Sequence, residues 1–134
     1  MLPVTIKIIP RYSETDQMGI IHHANYLIYL EQARLGWLEQ LGFSYVKMEK
    51  DGVLLPVYNI DITYKKPIKF GDEISVRINL KSIPTTRVIF EYELVNQRGQ
   101  ICAICELTLV FTDALTFRPR RPTVEFLSAC QRLF

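Results

Sequence analysis

A stretch around residue 30 carries apolar side chains over most of a helical circumference, and it restricts how the rest of the chain can fold. Apolar residues recur at spacings of three and four, as on one stripe of an α-helix, at Tyr26, Leu30, Ala33, Trp37 and Leu41. Further apolar side chains lie around this stripe at Leu27, Ile28, Leu35 and Leu38. The pattern predicts a helix over residues 24 to 41 that is wrapped by other elements on several sides.

Two further features accompany this predicted helix, a glycine after its last turn and a pair of opposite charges. Gly42 stands where a C-cap glycine ends many helices. Glu31 and Arg34 are three residues apart, so their side chains are predicted to meet and partly neutralise each other inside the wrapping.

Alternating apolar and polar residues on both sides of the helix predict β-strands. The first strand covers residues 4 to 9 and ends at Pro10, and later half-buried strands run through 58–64, 74–80 and 88–94. Residues 101 to 112 are apolar on nearly both faces, as in a central strand, and a short helix follows near 123–132. An α+β fold results, in which a curved antiparallel sheet wrapped around one long central helix buries every apolar face.

Composition limits the classes of protein to which the chain can belong. Its 134 residues fit one domain, residues 1–134, and a formal charge of +2 is too mild for a nucleic-acid binder. The odd number of cysteines, Cys102, Cys105 and Cys130, indicates a reducing, cytoplasmic location. We expect no signal peptide at the N-terminus and no membrane span anywhere.

The segment before the helix, YSETDQMGIIHHAN, has no periodicity and is predicted to be a shaped loop in which Gly19 adopts a positive φ. Asp16 lies in this loop, close in sequence to a helix N-terminus whose free N–H groups suit an oxygen that gains charge. Asp16 could therefore act as a nucleophile or as a general base on water. The alternative is a structural aspartate that only holds a turn.

His22 and His23 are the two histidines of the chain. Adjacent residues in one loop seldom bind the same ion, and no third ligand stands nearby, so we predict no metal site. His23 is predicted to offer its backbone N–H to an oxyanion at the helix start. His22 faces either a ligand or solvent, and Tyr12 either binds a substrate group or only packs.

Basic residues outside the loop are candidates for binding an anionic ligand, because ammonium and guanidinium groups bind phosphates. These candidates are Lys65, Lys66, Arg87, Arg118, Arg120 and Arg121. Taken singly, each is equally consistent with a solvated surface charge.

The stretch RYSETDQMGIIHHANYLIYLEQAR, residues 11–34, closely resembles the signature of the 4-hydroxybenzoyl-CoA thioesterase family and its bacterial acyl-CoA thioesterase relatives. The resemblance continues through the helix ending in Gly42, the turn KKPIKFGDEI and the Arg-Pro-rich exit from the last strand. It implies a hotdog fold and hydrolysis of an acyl-CoA thioester, with no metal and no organic cofactor.

The resemblance also assigns roles to residues of the loop. It implies that Asp16 is the catalytic carboxylate and that the His23 N–H polarises the thioester carbonyl. The pattern of Tyr12, Asp16, Gly19, His23 and Tyr26 is intact, whereas many relatives have another residue at the position of His22. The residues expected to bind substrate are Tyr12, Gly19, His22, Tyr26, Lys65, Arg87 and Arg118.

The family resemblance further implies a homodimer joined edge to edge into one sheet, or a homotetramer, with active sites at the subunit boundary. Two alternatives stay open on the same fold: an acyl-carrier-protein thioesterase and a non-catalytic domain that binds acyl-CoA. A hydratase would need an acid-base pair in the pocket, and no second carboxylate or catalytically placed histidine is evident in the sequence.

Overall fold

The computed structural model describes residues 4–134, so the first three residues of the predicted domain lie outside the described part. The strands are β1 (Val4–Ile8), β2 (Val53–Leu54), β3 (Val57–Tyr64), β4 (Ile74–Leu80), β5 (Arg87–Val95), β6 (Ile101–Val110) and β7 (Thr112–Asp113). The helices are α1 (Tyr26–Leu41), α2 (Tyr45–Lys50) and α3 (Val124–Gln131).

Five strands form one antiparallel sheet in the order β1-β4-β5-β6-β3, and β2 pairs separately with β7. The apolar run that predicted a central strand is β6, which lies between β5 and β3. Cys105 of β6 stands opposite Ile62 on one side and Tyr92 on the other. The α+β prediction is therefore confirmed at the level of individual strands.

Helix α1 packs its predicted stripe against the sheet. Trp37 packs edge-on against Phe90 of β5, with 4.9 Å between the ring centroids. Phe126 of α3 belongs to the same core, and its ring centroid lies 6.5 Å from that of Trp37. A short 3-10 turn, His23–Asn25, leads into α1, and Gly42 ends it in the left-handed conformation at φ 94°. The predicted helix and its C-cap are confirmed.

The prediction that α1 is wrapped on several sides is wrong for the single chain. Leu27, Ile28 and Leu35 are 42%, 47% and 40% exposed, because the sheet covers only one side of the helix. The predicted pairing of Glu31 with Arg34 is also wrong. Arg34 is buried and its Nε has no hydrogen-bond partner, while Glu31 lies exposed to solvent.

Strand β3 lies at the end of the sheet and pairs only with β6 among the described residues. The prediction that it is half-buried is wrong, since Ile62 is its single partly buried residue and the other positions are exposed. Tyr58 and Tyr64, which were expected to be covered, are 63% and 47% exposed. One long edge of the sheet therefore carries apolar side chains in contact with solvent.

The described residues contain no helix that is long and apolar enough to cross a membrane. All three cysteines are buried and unpaired. Burial raises the pKa of both Cys105 and Cys130 to about 12, so these thiols stay protonated at neutral pH.

Candidate active site

The loop between β1 and α1 is a set of tight turns held by backbone hydrogen bonds. Asp16 N–H donates to the Ile20 carbonyl at 2.8 Å, and Gly19 N–H donates back to the Asp16 carbonyl at 3.1 Å. Gly19 has φ 77°, a conformation that strains residues with a side chain. Ile21 N–H then donates to the Ile68 carbonyl at 2.7 Å, which fixes the loop against the segment that follows β3.

The two carboxylate oxygens of Asp16 have different surroundings. Oδ1 accepts hydrogen bonds from Met18 N–H at 2.8 Å and from Ile20 N–H at 3.4 Å. No described residue donates to Oδ2, and the side chain is partly exposed. One oxygen thus holds the loop in shape while the other remains available to a substrate.

The entry to α1 offers a free backbone donor. The His22 imidazole accepts a hydrogen bond from Ala24 N–H at 3.2 Å through Nδ1 and so caps the 3-10 turn. His23 N–H has no acceptor among residues 4–134. An unbonded N–H at a helix start can stabilise a developing negative charge.

Asp16 and His23 line the same cleft, which has a volume of about 360 Å³. Its other polar and aromatic walls are Tyr26, Tyr64, Lys65 and Lys66. The structure therefore brings together residues of the loop, of the entry to α1 and of the segment just after β3. Five of them were predicted site candidates: Asp16, His23, Tyr26, Lys65 and Lys66.

Tyr64 belongs to this cleft; from the sequence, this tyrosine was equally consistent with an aromatic acyl pocket and with ordinary packing in the sheet. Its hydroxyl donates to the His23 carbonyl at 3.3 Å, and its ring lies edge-on to Tyr26 with 4.9 Å between centroids. Burial raises the pKa of Tyr64, and it raises the pKa of Tyr26 to about 12. Both hydroxyls are therefore neutral at physiological pH.

The remaining predicted residues lie outside this cleft. Tyr12 packs edge-on to Phe70 with 5.5 Å between centroids, and the ring of His22 stacks on that of His23 at 4.3 Å. The Arg87 guanidinium sits over the Tyr58 ring at 4.8 Å, and Arg118 is exposed after β7. A substrate role for these residues, and for Gly19 in its turn, stays a prediction.

A larger hollow of about 490 Å³ lies on the outer face of the sheet, away from the loop. Four carboxylates line it, from Asp61, Glu91, Glu93 and Glu106. This concentration of negative charge would repel an anionic ligand. No three His, Cys, Asp or Glu side chains of the described chain are grouped closely enough to hold a metal ion.

Glu14 is a buried residue of the loop that the sequence reasoning missed. Its carboxylate accepts hydrogen bonds from Arg11 N–H at 2.8 Å and from the Tyr29 hydroxyl at 2.7 Å. The Arg11 guanidinium approaches the second oxygen at 3.2 Å. The spacing of Arg11 and Glu14 was the available signal, but a charged residue in a polar loop is ordinarily exposed.

Comparison with known proteins is consistent with this geometry. The thioesterase-like superfamily matches residues 10–130. YneP of Bacillus subtilis is 38% identical over 109 residues, which are 81% of this chain and 79% of that protein. The acyl-CoA thioester hydrolase YbgC of Escherichia coli O6:H1 is 27% identical over 81% of each chain.

A solved structure has the same fold. The DHNA-CoA thioesterase from Staphylococcus aureus superposes with a TM-score of 0.95 and 32% identity, covering 99% of this chain and 91% of that one. The resemblance drawn from residues 11–34 and the hotdog fold that it implied are thereby confirmed. The chain belongs to the thioesterase-like superfamily of hotdog-fold enzymes.

Proposed function

We propose that the protein hydrolyses an acyl-CoA thioester and releases free CoA and a carboxylic acid. The observation that carries this proposal is the pair formed in one cleft by the Asp16 carboxylate, with one oxygen free, and the unbonded His23 N–H at the helix start. The named activities of the similar YbgC and DHNA-CoA thioesterases support the choice of substrate class.

The proposed reaction begins when the thioester carbonyl lies between these two groups. Either Asp16 attacks the carbonyl carbon directly, or it removes a proton from a water molecule that attacks. The carbonyl oxygen becomes negative and accepts the hydrogen bond of His23 N–H. The C–S bond then breaks and CoA leaves as a thiolate. In the direct route, water afterwards cleaves the mixed anhydride and restores Asp16.

The walls of the cleft match the two ends of such a substrate. Lys65 and Lys66 place ammonium groups at its margin, where they can attract the phosphates of CoA. Tyr26 and Tyr64 provide an aromatic wall beside Asp16. In this proposal Arg87 and Arg118 meet the nucleotide part of CoA from the surface, and no metal or organic cofactor takes part.

The assembly belongs to the same proposal. A second copy that adds its own β3 beside β3 would continue the sheet and cover exposed apolar residues such as Tyr58 and Ile60. The active sites would then lie at the boundary of a homodimer, or of the dimers within a homotetramer. We further propose that the enzyme acts in the cytoplasm, where unpaired cysteines persist.

The experiment compares the purified protein with an Asp16→Asn variant against short-chain, long-chain and aromatic acyl-CoAs, following thiol release. We expect the wild type to turn over at least one of them and the variant to lose at least about a hundredfold in kcat. Asp51→Asn is a matched control, since Asp51 is an exposed carboxylate at the end of α2, outside the cleft. The control should retain wild-type turnover.

Two further arms separate the alternative functions. Acyl groups linked to an acyl-carrier protein test the carrier-protein thioesterase, whose turnover would fall with added salt because the partner surface is acidic. Calorimetry with a non-hydrolysable acyl-CoA tests the binding domain. Binding without turnover of any thioester would overturn the proposed hydrolase, and so would a folded Asp16→Asn variant with unchanged kcat.

A further inference from the structure

Glu14 connects the loop that carries Asp16 with the helix that carries His23. The residue is only 5% exposed, and its carboxylate accepts a hydrogen bond from the Tyr29 hydroxyl, one turn into α1, at 2.7 Å. The same carboxylate also accepts from Arg11 N–H at 2.8 Å, just after β1. One side chain therefore links the end of β1 to α1.

The main chain of Glu14 makes a second set of contacts with the helix entry. Its carbonyl accepts hydrogen bonds from His22 N–H and from the Asn25 amide, each at 2.9 Å. These two donors flank His23 in the sequence, and Asp16 is two residues beyond Glu14. The hydrogen bonds of Glu14 thus tie the loop that carries Asp16 to the residues before and after His23.

A buried carboxylate is costly unless it is hydrogen-bonded, so this arrangement needs all of its donors. Burial by itself would raise the pKa of Glu14, but the hydrogen bonds from Arg11 N–H, the Tyr29 hydroxyl and the Arg11 guanidinium together lower it. The side chain makes no contact with the cleft. Its effect on a reaction at Asp16 would therefore be indirect.

We propose that Glu14 is a positioning residue, whose carboxylate, held by Tyr29, sets the placement of Asp16 relative to the His23 N–H. The proposal rests on the proposed hydrolase activity. It predicts that weakening this contact lowers the rate of the chemical step and leaves substrate binding nearly unchanged, because Glu14 itself lines no part of the cleft.

The test measures kcat and KM for Glu14→Gln and Tyr29→Phe on the best acyl-CoA of the panel. Each variant should lower kcat by about tenfold to a hundredfold, as small misplacements of reacting groups do. KM should change less than about threefold, since uniform binding is retained. Glu49→Gln, which neutralises an exposed carboxylate in α2, is the matched control and should behave as wild type.

Repeating Glu14→Gln in the Asp16→Asn background distinguishes a role that acts through Asp16 from a general structural role. If Glu14 acts through Asp16, the residual rate of the double variant should equal that of Asp16→Asn alone. A further loss of tenfold or more in the double variant would overturn the inference. Circular dichroism and the urea midpoint establish that the compared variants are folded.

Other results also decide the question. An unchanged kcat in folded Glu14→Gln and in Tyr29→Phe would overturn the inference while leaving the hydrolase proposal intact if Asp16→Asn is inactive. If Glu14→Gln does not fold, Tyr29→Phe decides alone, because it keeps the Glu14 contacts with Arg11. Full activity in Asp16→Asn would instead remove the proposed function on which the inference rests.

Discussion

At the scale of single residues, some polar groups of the loop before α1 make hydrogen bonds within the loop, and others have no partner there. Asp16 uses Oδ1 to accept hydrogen bonds within its own turn, and Oδ2 is left without a donor. His22 caps the 3-10 turn with its imidazole, which leaves the N–H of His23 as the unbonded donor. A carboxylate oxygen and a backbone N–H are thus both left without a partner among the described residues, as the proposed reaction requires.

Glu14 should make the folded protein sensitive to acid. The hydrogen bonds to its carboxylate outweigh burial and lower its pKa from the usual 4.5. Its stabilising contribution is therefore fully present above the unfolded pKa and is lost as the pH falls through the lower folded pKa. As the pH falls from above 4.5 to below the folded pKa, the wild type should lose more free energy of unfolding than Glu14→Gln, which has no such proton to bind.

Urea denaturation followed by circular dichroism at several pH values measures this difference. All other titrating groups are the same in the two proteins, so the difference between their slopes reports on Glu14. Parallel loss of stability in the two proteins would contradict the prediction.

The residues of the site were predictable to an unequal extent. Asp16 and His23 were selected because a carboxylate close in sequence to a helix start has a chemical meaning, and the structure places both in one cleft. Glu14 was not found, and Tyr64 was left open between an acyl pocket and ordinary packing, because their contacts with Tyr29 and with the His23 carbonyl span 15 and 41 residues of sequence. No local pattern reports such long-range contacts.

At the scale of elements, α1 lies unusually close to β1. Gly36 faces Ile6, and a Cβ atom built on Gly36 would stand 2.7 Å from Ile6 Cδ1 and 3.2 Å from Cγ1. The absence of a side chain at this position allows the helix and the strand to approach each other.

Gly36→Val should therefore lower the free energy of unfolding by about 1–3 kcal/mol through overpacking. Gly36→Ala is the matched control, because the helical preference of alanine, worth about 1 kcal/mol, offsets the displacement of the flexible end of Ile6. Urea denaturation of both variants measures the effect. A valine variant as stable as the alanine variant would show that the contact is not tight.

Long elements with a clear period were predicted within about two residues, as for α1 and β4. Three short elements, α2, β2 and β7, were missed, because two to six residues are too few to show a period. The predicted wrapping of α1 was wrong for the single chain. The apolar positions Leu27 and Ile28 do not indicate whether the residues that cover them belong to the same chain or to another chain. Periodicity predicts which apolar side chains will be buried, but it does not identify the residues that bury them.

At the scale of the whole molecule, two regular elements carry several exposed apolar residues each, the edge strand β3 and the uncovered side of α1. An eight-residue strand with one free edge is ordinarily paired or protected. The proposed dimer would cover it by pairing two β3 strands.

Ile60→Lys should weaken this dimer, because cross-strand neighbours in paired strands lie close together and two lysines would repel. The dimer dissociation constant should rise at least about tenfold, which corresponds to about 1.4 kcal/mol. Light scattering over a range of protein concentrations measures it. Ile83→Lys, an equally drastic change at an exposed isoleucine between β4 and β5, is the matched control.

Two results would speak against edge-to-edge assembly. A wild-type protein that is monomeric at every concentration would exclude it. A protein whose dimer tolerates Ile60→Lys as well as Ile83→Lys would place the interface elsewhere.

The two sides of the cleft come from separate parts of the chain, and this separation has a bearing on how the enzyme can evolve. The proposed reacting groups belong to the loop and helix start, which Glu14 connects by hydrogen bonds, whereas Tyr64, Lys65 and Lys66 belong to the end of β3 and the residues that follow it. In the proposed enzyme, mutations at Lys65 and Lys66 would alter substrate binding without touching a hydrogen bond that joins the loop to the helix start. Substrate preference can therefore diverge among descendants faster than chemistry.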